Sequence, residues 1–317
     1  MRRADVLAVH SLDHVAFDVP DLDQARRFYE AFGLEVEPDG DHANVRAEGD
    51  PRPWLVLRRG SSPRKALRWL SFGAYADDMP ALMARLEARA RRVGPPDADH
   101  GDGYFYEAPH GVVIEVRAAS KRTPDLPEAV DSVPRRGVRG APLRSAKPRV
   151  RPKRMSHALL FTPDIAESVR FYTEVLGLRL SDDAGAVAFL HAPHGSDHHL
   201  VAFAKGRGSG LHHVAWSVSS FDEVGLGAMQ MADQGYSRGW GIGRHVLGSN
   251  YFHYVRDPWG SYCEYSFDID HVPAGFDWVA SVQTPDNGFY LWGPAAPDDF
   301  TVNYENVEEA PPERDRT

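Results

Sequence analysis

Side chains able to bind a metal or move protons gather in the second half of this chain. His157, His199, His213 and His245 precede Glu264, whereas the first half has few histidines in matching places. Strand parity singles out three of these residues. His157 leads the first strand of one expected sub-unit, His213 sits in the first strand of the next, and Glu264 lies in that sub-unit's last strand. If the two sub-units pair face to face, all three side chains point into one sheet-lined cavity. Two imidazoles and one carboxylate are the facial set that holds octahedral Fe(II) while leaving positions open for substrate and oxygen, and Mn(II) accepts the same ligands. A second reading is that His157 and His213 are hydrogen-bonded core or strand-end histidines.

The elements that must position these residues are written twice. Asp13-His14-Val15-Ala16-Phe17, followed by Arg27-Phe28-Tyr29, returns as Ser156-His157-Ala158-Leu159-Leu160, followed by Arg170-Phe171-Tyr172, with His14 and His157 143 positions apart. In the second copy His157, Leu159 and Phe161 share one face of a strand, and Pro163 ends it. Asp164 is suited to cap a helix carrying Ile165, Val169, Phe171 or Tyr172, Val175 and Leu176 before Gly177. Strands are then expected at 178–181, 186–191, 199–204 and 212–218, a helix from Phe221 to about Gln234, and strands around His245, at 250–256 and at 262–267. The order is βαβββ twice, and residues 67–74, the helix Met79 to Arg91 and strands near Tyr104 and Ile114 repeat the second of these sub-units in the first half.

The fold class that follows is α+β: two tandem domains, each of paired βαβββ modules forming a curved mixed sheet around a cavity. The expected boundaries are 1–134 for a metal-free domain, 135–154 for a basic linker rich in proline, glycine and arginine, and 155–317 for a catalytic domain with its tail. The linker reads as solvated, because its proline and arginine neither pack nor sustain a helix. In the tail, Phe289, Tyr290, Leu291 and Trp292 are costly to leave in water and are expected to fold back on the second domain. The first domain serves as a control. Aligning Leu67-Arg68-Trp69 with Leu211-His212-His213 sets Trp69 opposite His213, while His14 and Glu115 stand opposite His157 and Glu264. A site lacking its middle ligand holds metal poorly, so the first half reads as structural.

Composition narrows the class. No apolar run approaches the roughly 20 residues of a membrane span, and the polar, acidic start argues against a signal peptide. A single cysteine excludes an internal disulfide and fits a reducing cytoplasm. A formal charge of −9 gives no support to nucleic-acid binding.

The run from His245 through Tyr254 to Glu264, together with Leu211-His212-His213-Val214-Ala215, resembles the type I extradiol ring-cleaving catechol dioxygenases of the vicinal-oxygen-chelate superfamily. The resemblance spans roughly residues 8 to 280. It implies that His157, His213 and Glu264 are iron ligands, that His199 is the acid–base histidine with His198 as its stand-in, and that His245 and Tyr254 contact the substrate hydroxyls. It also implies a catechol and O2 as reactants, a 2-hydroxymuconic semialdehyde-type product, and a homo-oligomer. His212, of opposite parity to His213, is expected to be structural or supporting. Competing readings are a dioxygenase for a hydroquinone or trihydroxylated ring, a metal-dependent glyoxalase or isomerase, and a noncatalytic small-molecule-binding protein. The pocket is expected to be lined around Trp240, Gly241, Ile242, Leu247 and Phe252, with residues 276–292 over its mouth. No arginine pair is apparent for a carboxylate, so a 3-substituted or bicyclic apolar catechol is the expected substrate.

Overall fold

The computed structural model describes residues 2–95, 103–128, 137 and 139–306. Much of the first part of the expected linker therefore lies outside the described residues. The first domain runs β1 (Ser11–Val19), α1 (Leu22–Phe32), β2 (Glu35–Asp39), β3 (His42–Arg46), β4 (Leu55–Arg59), β5 (Ala66–Ala74), α2 (Met79–Arg89), β6 (Arg91–Val93), β7 (Tyr104–Glu107) and β8 (Val113–Ala118). The second runs β9 (Arg154–Thr162), α3 (Ile165–Glu174), β10 (Arg179–Asp183), β11 (Val187–His191), β12 (Ser196–Asp197), β13 (Val201–Lys205), β14 (Gly210–Ser217), α4 (Phe221–Asp233), β15 (Gly239–His245), β16 (Tyr251–Arg256) and β17 (Tyr262–Phe267). A tail adds β18 (His271–Val272), β19 (Ser281–Val282), α5 (Pro285–Gly288) and β20 (Tyr290–Trp292). Among the described residues no helix is long and apolar enough to cross a membrane.

Short polar side chains start the helices where the repeat places them. Asp21, Asp164 and Ser220 accept from the amides of Gln24, Glu167 and Glu223, satisfying donors that have no partner within the helix. α1 ends at Gly33 with φ of 102°, and a Cβ there would lie 2.1 Å from the carbonyl oxygen of Val150. Glycine is thus needed both for the turn and for the approach of the second domain's leading segment.

The first sheet has the order β2-β3-β4-β1-β5-β8-β7-β6. Without its two outermost strands, the second repeats it as β10-β11-β13-β9-β14-β17-β16-β15. The central pairs correspond: Ala16 faces Trp69 in β1 and β5, and Leu159 faces His213 in β9 and β14. The outermost strands come from the tail. β19 runs parallel to β10, with Ser281 beside Asp182, and β20 pairs with β15, with Tyr290 beside His245. One short segment therefore ties together the two far edges of the second sheet.

The two cores merge into one buried cluster. Phe32 stacks on Tyr265 at 3.9 Å between ring centroids, and the Tyr265 hydroxyl donates to the Phe32 carbonyl. Lys65 and Asp257 form a fully buried ion pair at 2.6 Å across the halves. The Glu305 carboxylate accepts from the amides of Leu67 and Leu211, one from each half.

Two sequence expectations need correction. The linker is not solvated to its end: Val150 is buried, and strand β9 already begins at Arg154, whose guanidinium pairs with Asp197 and Glu128. The tail does not bury all its aromatic and aliphatic run, since Leu291 stays 66% and Trp292 42% exposed. Phe300 and Tyr304 further on do sink into the domain.

Candidate metal centre and substrate cavity

His157, His213 and Glu264 come together because β9, β14 and β17 are neighbours. Ala215 faces His157 on one side and Glu264 on the other. The Nε2 atoms of His157 and His213 stand 3.4 and 3.3 Å from Oε2 of Glu264, and the three potential ligand atoms lie within 4.8 Å of one another. All three residues are buried. His213 Nε2 and Glu264 Oε2 have no hydrogen-bond partner. Buried polar atoms left unanswered are costly, about 1–3 kcal/mol each and more when charged, and a divalent cation among them satisfies every one. The donor set therefore fits a metal ion such as Fe(II) or Mn(II).

Hydrogen-bond chains fix which nitrogen of each ring is free. Ser156 Oγ donates its single proton to Asp197 Oδ2 at 2.7 Å, so it accepts from Nδ1 of His157. The carbonyl of Phe300 can only accept, so His212 gives it the Nε2 proton and takes one from Nδ1 of His213 at 2.7 Å. Both rings are left with a bare Nε2 toward Glu264, the form a metal requires. Burial, reinforced by neighbouring histidines, pushes the His213 imidazole well below the usual histidine range and keeps it neutral. Asn250 Nδ2 donates to Glu264 Oε1 at 2.8 Å and leaves Oε2 as the free oxygen. Asn250, Ser156 and Asp197 carry no signal of periodicity or spacing in the sequence.

Above these atoms lies a cavity of about 260 Å³. His199, His245 and Tyr254 line it with His157 and His213, so the expected residues share one site. His199 sits 4.0 Å from His157 between ring centroids. The Phe289 carbonyl takes the Nδ1 proton of His245, so His245 Nε2 accepts from the Tyr254 hydroxyl at 2.9 Å. Burial raises the Tyr254 phenol well above its ordinary range, with the Glu264 charge adding to it. Tyr254 is thus a neutral donor already aimed at His245.

The lining differs from expectation. Of the residues expected there, only Leu247 reaches the cavity; Leu159, Val187, Phe189, Phe289 and Phe300 supply the rest of its large apolar wall. Trp240 and Phe252 instead pack behind Tyr254 in a separate buried cluster. Trp240 pairs directly with Tyr254, ahead of the register shift between Gly241 and Gly243, and stacks on that ring instead of reaching the cavity. The tail meets the cavity through Gly288 and Phe289, inside the expected 276–292, and through Phe300 and Thr301 beyond it. His191, His194 and His198 are buried as well.

In the first domain the matching position is filled differently. Trp69 Nε1 donates to His14 Nε2 at 3.1 Å, and His14 Nδ1 donates to Asp13. An indole N–H occupies the lone pair that a metal would need.

A two-histidine, one-carboxylate centre under an apolar cavity, in a sheet built of paired βαβββ modules, defines a metal-dependent enzyme class, and comparison with known proteins narrows it. Residues 154–265 match the Glyoxalase/Bleomycin resistance protein/Dioxygenase superfamily, and residues 14–117 match a Glyoxalase-like domain. Metapyrocatechase 2 of Cupriavidus necator is 46% identical over 302 residues, 94% of this chain and 93% of that protein. The crystal structure of a Mn(II)-bound glyoxalase from Novosphingobium aromaticivorans superposes with a TM-score of 0.73 at 27% identity, covering 92% of this chain and 93% of that one. That of 2,2',3-trihydroxybiphenyl 1,2-dioxygenase from Sphingomonas wittichii strain RW1 shares the fold, with a TM-score of 0.72 at 21% identity over 92% and 100% of the two chains. The chain belongs to the glyoxalase/bleomycin resistance protein/dioxygenase superfamily and, within it, to the extradiol catechol dioxygenases. It is an oxygenase, and that class works with a catalytic metal.

Proposed function

We propose that the protein performs extradiol cleavage of an apolar, 3-substituted or bicyclic catechol with O2, at Fe(II) held by His157, His213 and Glu264. The observation that carries this reading is the convergence of two bare Nε2 atoms and one bare carboxylate oxygen on the floor of an apolar cavity. When bound there, the metal supplies a shared centre at which catechol and dioxygen meet and electron density passes between them. Mn(II) fits the same donors, and a Mn(II)-bound structural relative keeps it as the alternative. Elemental analysis of the purified protein decides between the two.

The chain's own residues then divide the work. Leu159, Val187, Phe189 and Leu247 bury the ring and exclude water from it, and no lysine or arginine lines the cavity among the described residues. Burying each CH2-sized increment of a ring substituent is favoured by about 0.8 kcal/mol, whereas a carboxylate entering this wall finds no cationic partner. His199 takes a proton from the incoming catechol hydroxyl and returns one as the ring opens. Its neutrality in the resting enzyme follows from burial and from the neighbouring His157, His198 and His213, which hold its imidazole well below the ordinary range. Tyr254, backed by His245, holds the second catechol oxygen in register through hydrogen bonding.

Anaerobic reconstitution with Fe(II), followed by a diol panel and oxygen, tests the proposal. Stoichiometric oxygen uptake with a yellow semialdehyde is expected. The ratio kcat/KM is expected to be higher for 3-methylcatechol, 2,3-dihydroxybiphenyl and 1,2-dihydroxynaphthalene than for 3,4-dihydroxyphenylacetate. Preference for the last overturns the apolar-pocket reading, and absence of uptake across the panel overturns ring cleavage.

A further inference from the structure

Two adjacent histidine pairs, His198-His199 and His212-His213, are built alike. In each, the outer ring meets the inner ring through Nδ1 atoms, at 3.0 and 2.7 Å, and anchors its own Nε2 on an oxygen. The anchors differ. His212 rests on the neutral carbonyl of Phe300, whereas His198 rests on the carboxylate of Asp182 at 2.7 Å. Asp182 is itself held: its Oδ1 accepts both the backbone amide and the hydroxyl of Ser281, leaving Oδ2 for His198.

Hydrogen-bond polarity propagates along this chain. An ionised carboxylate only accepts, so the Nε2 proton of His198 points at Asp182, and in the neutral imidazole Nδ1 of His198 is then an acceptor. His199 must then carry its proton on Nδ1 and a lone pair on Nε2. Among the described residues nothing hydrogen-bonds that Nε2, and the ring lines the cavity. Gly248 packs against the same two rings, where a Cβ would meet His198 Nδ1 and His199 Cε1 at 3.4 Å. We propose that Asp182 and His198 are positioning residues that hold His199 in the Nδ1–H tautomer, so that it presents an Nε2 lone pair to the catechol. The catalytic consequence rests on the reading of His199 as the acid–base residue; the tautomer assignment does not.

The substitution Asp182→Asn separates the two. Ser281 offers two donors, so the amide oxygen takes the Oδ1 place and the NH2 group faces His198. Every hydrogen bond in the chain then reverses, and His199 acquires an Nε2 proton facing the cavity. The readout is the histidine 1H–15N multiple-bond correlation spectrum of the full-length protein loaded with diamagnetic Zn(II), beside steady-state kinetics of the Fe(II) enzyme. The expected result is an inverted His199 tautomer, kcat lowered about 100-fold or more with KM for the diol and metal per chain unchanged, and restoration of both by Asp182→Glu. Retention of the Nδ1–H tautomer in Asp182→Asn overturns the proposal. An inverted tautomer with unchanged kcat leaves the positioning role standing and instead overturns His199 as the acid–base residue. Should Asp182→Asn fail to fold, His198→Leu serves: it removes the acceptor, so His199 is expected as a mixture of tautomers, and a single Nδ1–H form there overturns the proposal.

Discussion

Asn250 shows how much of a metal centre lies outside its ligands. Its amide nitrogen binds Glu264 Oε1 and also reaches Ser266, so the carboxylate cannot rotate to offer both oxygens inward. Replacement by alanine is expected to weaken metal binding about 10–100-fold while leaving the fold intact, measured by competition with a chelator; unchanged affinity would show that Glu264 is oriented by the strand alone. His199 belongs to the opposite category. His199→Phe removes no metal ligand, so iron content and diol binding are expected to persist while kcat drops about 10²–10⁴-fold. Loss of iron in that variant would place His199 in the metal set rather than beside it.

The repeat supplies its own control among the strands. β5 and β14 occupy the same place in their sheets, yet one carries Trp69 and the other His213. His213→Ala is expected to abolish metal retention. Trp69→Ala is expected to leave metal per chain untouched and to lower stability by about 3–5 kcal/mol, the cost of emptying a buried indole site, read from denaturant midpoints. Equal metal loss in both would refute the division of labour between the halves. The sequence made this contrast legible because strands alternate with period two, and a duplicated chain exposes a changed residue at a fixed offset. Parity allowed His157, His213 and Glu264 to share one face if the sub-units paired, and the pairing of β14 with β9 and β17 brings the three together. Parity gives no position along a face: Trp240 and Phe252 share Tyr254's side of the sheet yet pack behind it instead of lining the cavity. It was also silent on Ser156, Asp182 and Asn250, since which polar groups meet across a sheet depends on register between distant strands. The exposed Leu291 and Trp292 escaped a hydrophobicity argument for another reason: β20 is held by backbone pairing to β15, which does not require its side chains to be covered.

Across the whole molecule the halves are joined by groups that are expensive to bury. Glu305 accepts an amide from each half, and burial raises its carboxyl to about 7 against the lowering effect of the Leu211 and Leu67 amides. A carboxyl whose folded-state value exceeds its ordinary 4.5 binds more protons when folded than when unfolded. Its contribution to stability is therefore fullest below about pH 4.5 and falls as pH rises toward about 7. Thermal melts are expected to show wild type losing Tm relative to Glu305→Gln across that window; parallel curves would mean that Glu305 titrates alike in both states.

The tail that ties the two edges of the second sheet also carries a temporal consequence. Every proposed ligand atom belongs to the chain up to Glu264, but three groups that fix protons on the site's histidines come later: Ser281 through Asp182, the Phe289 carbonyl on His245, and the Phe300 carbonyl on His212 and so on His213. During synthesis, at about 5–20 residues per second, the three proposed metal-binding side chains emerge before any of these three groups. A nascent chain has all three proposed donor side chains before it has the groups that set the protons of His199, His245 and His213.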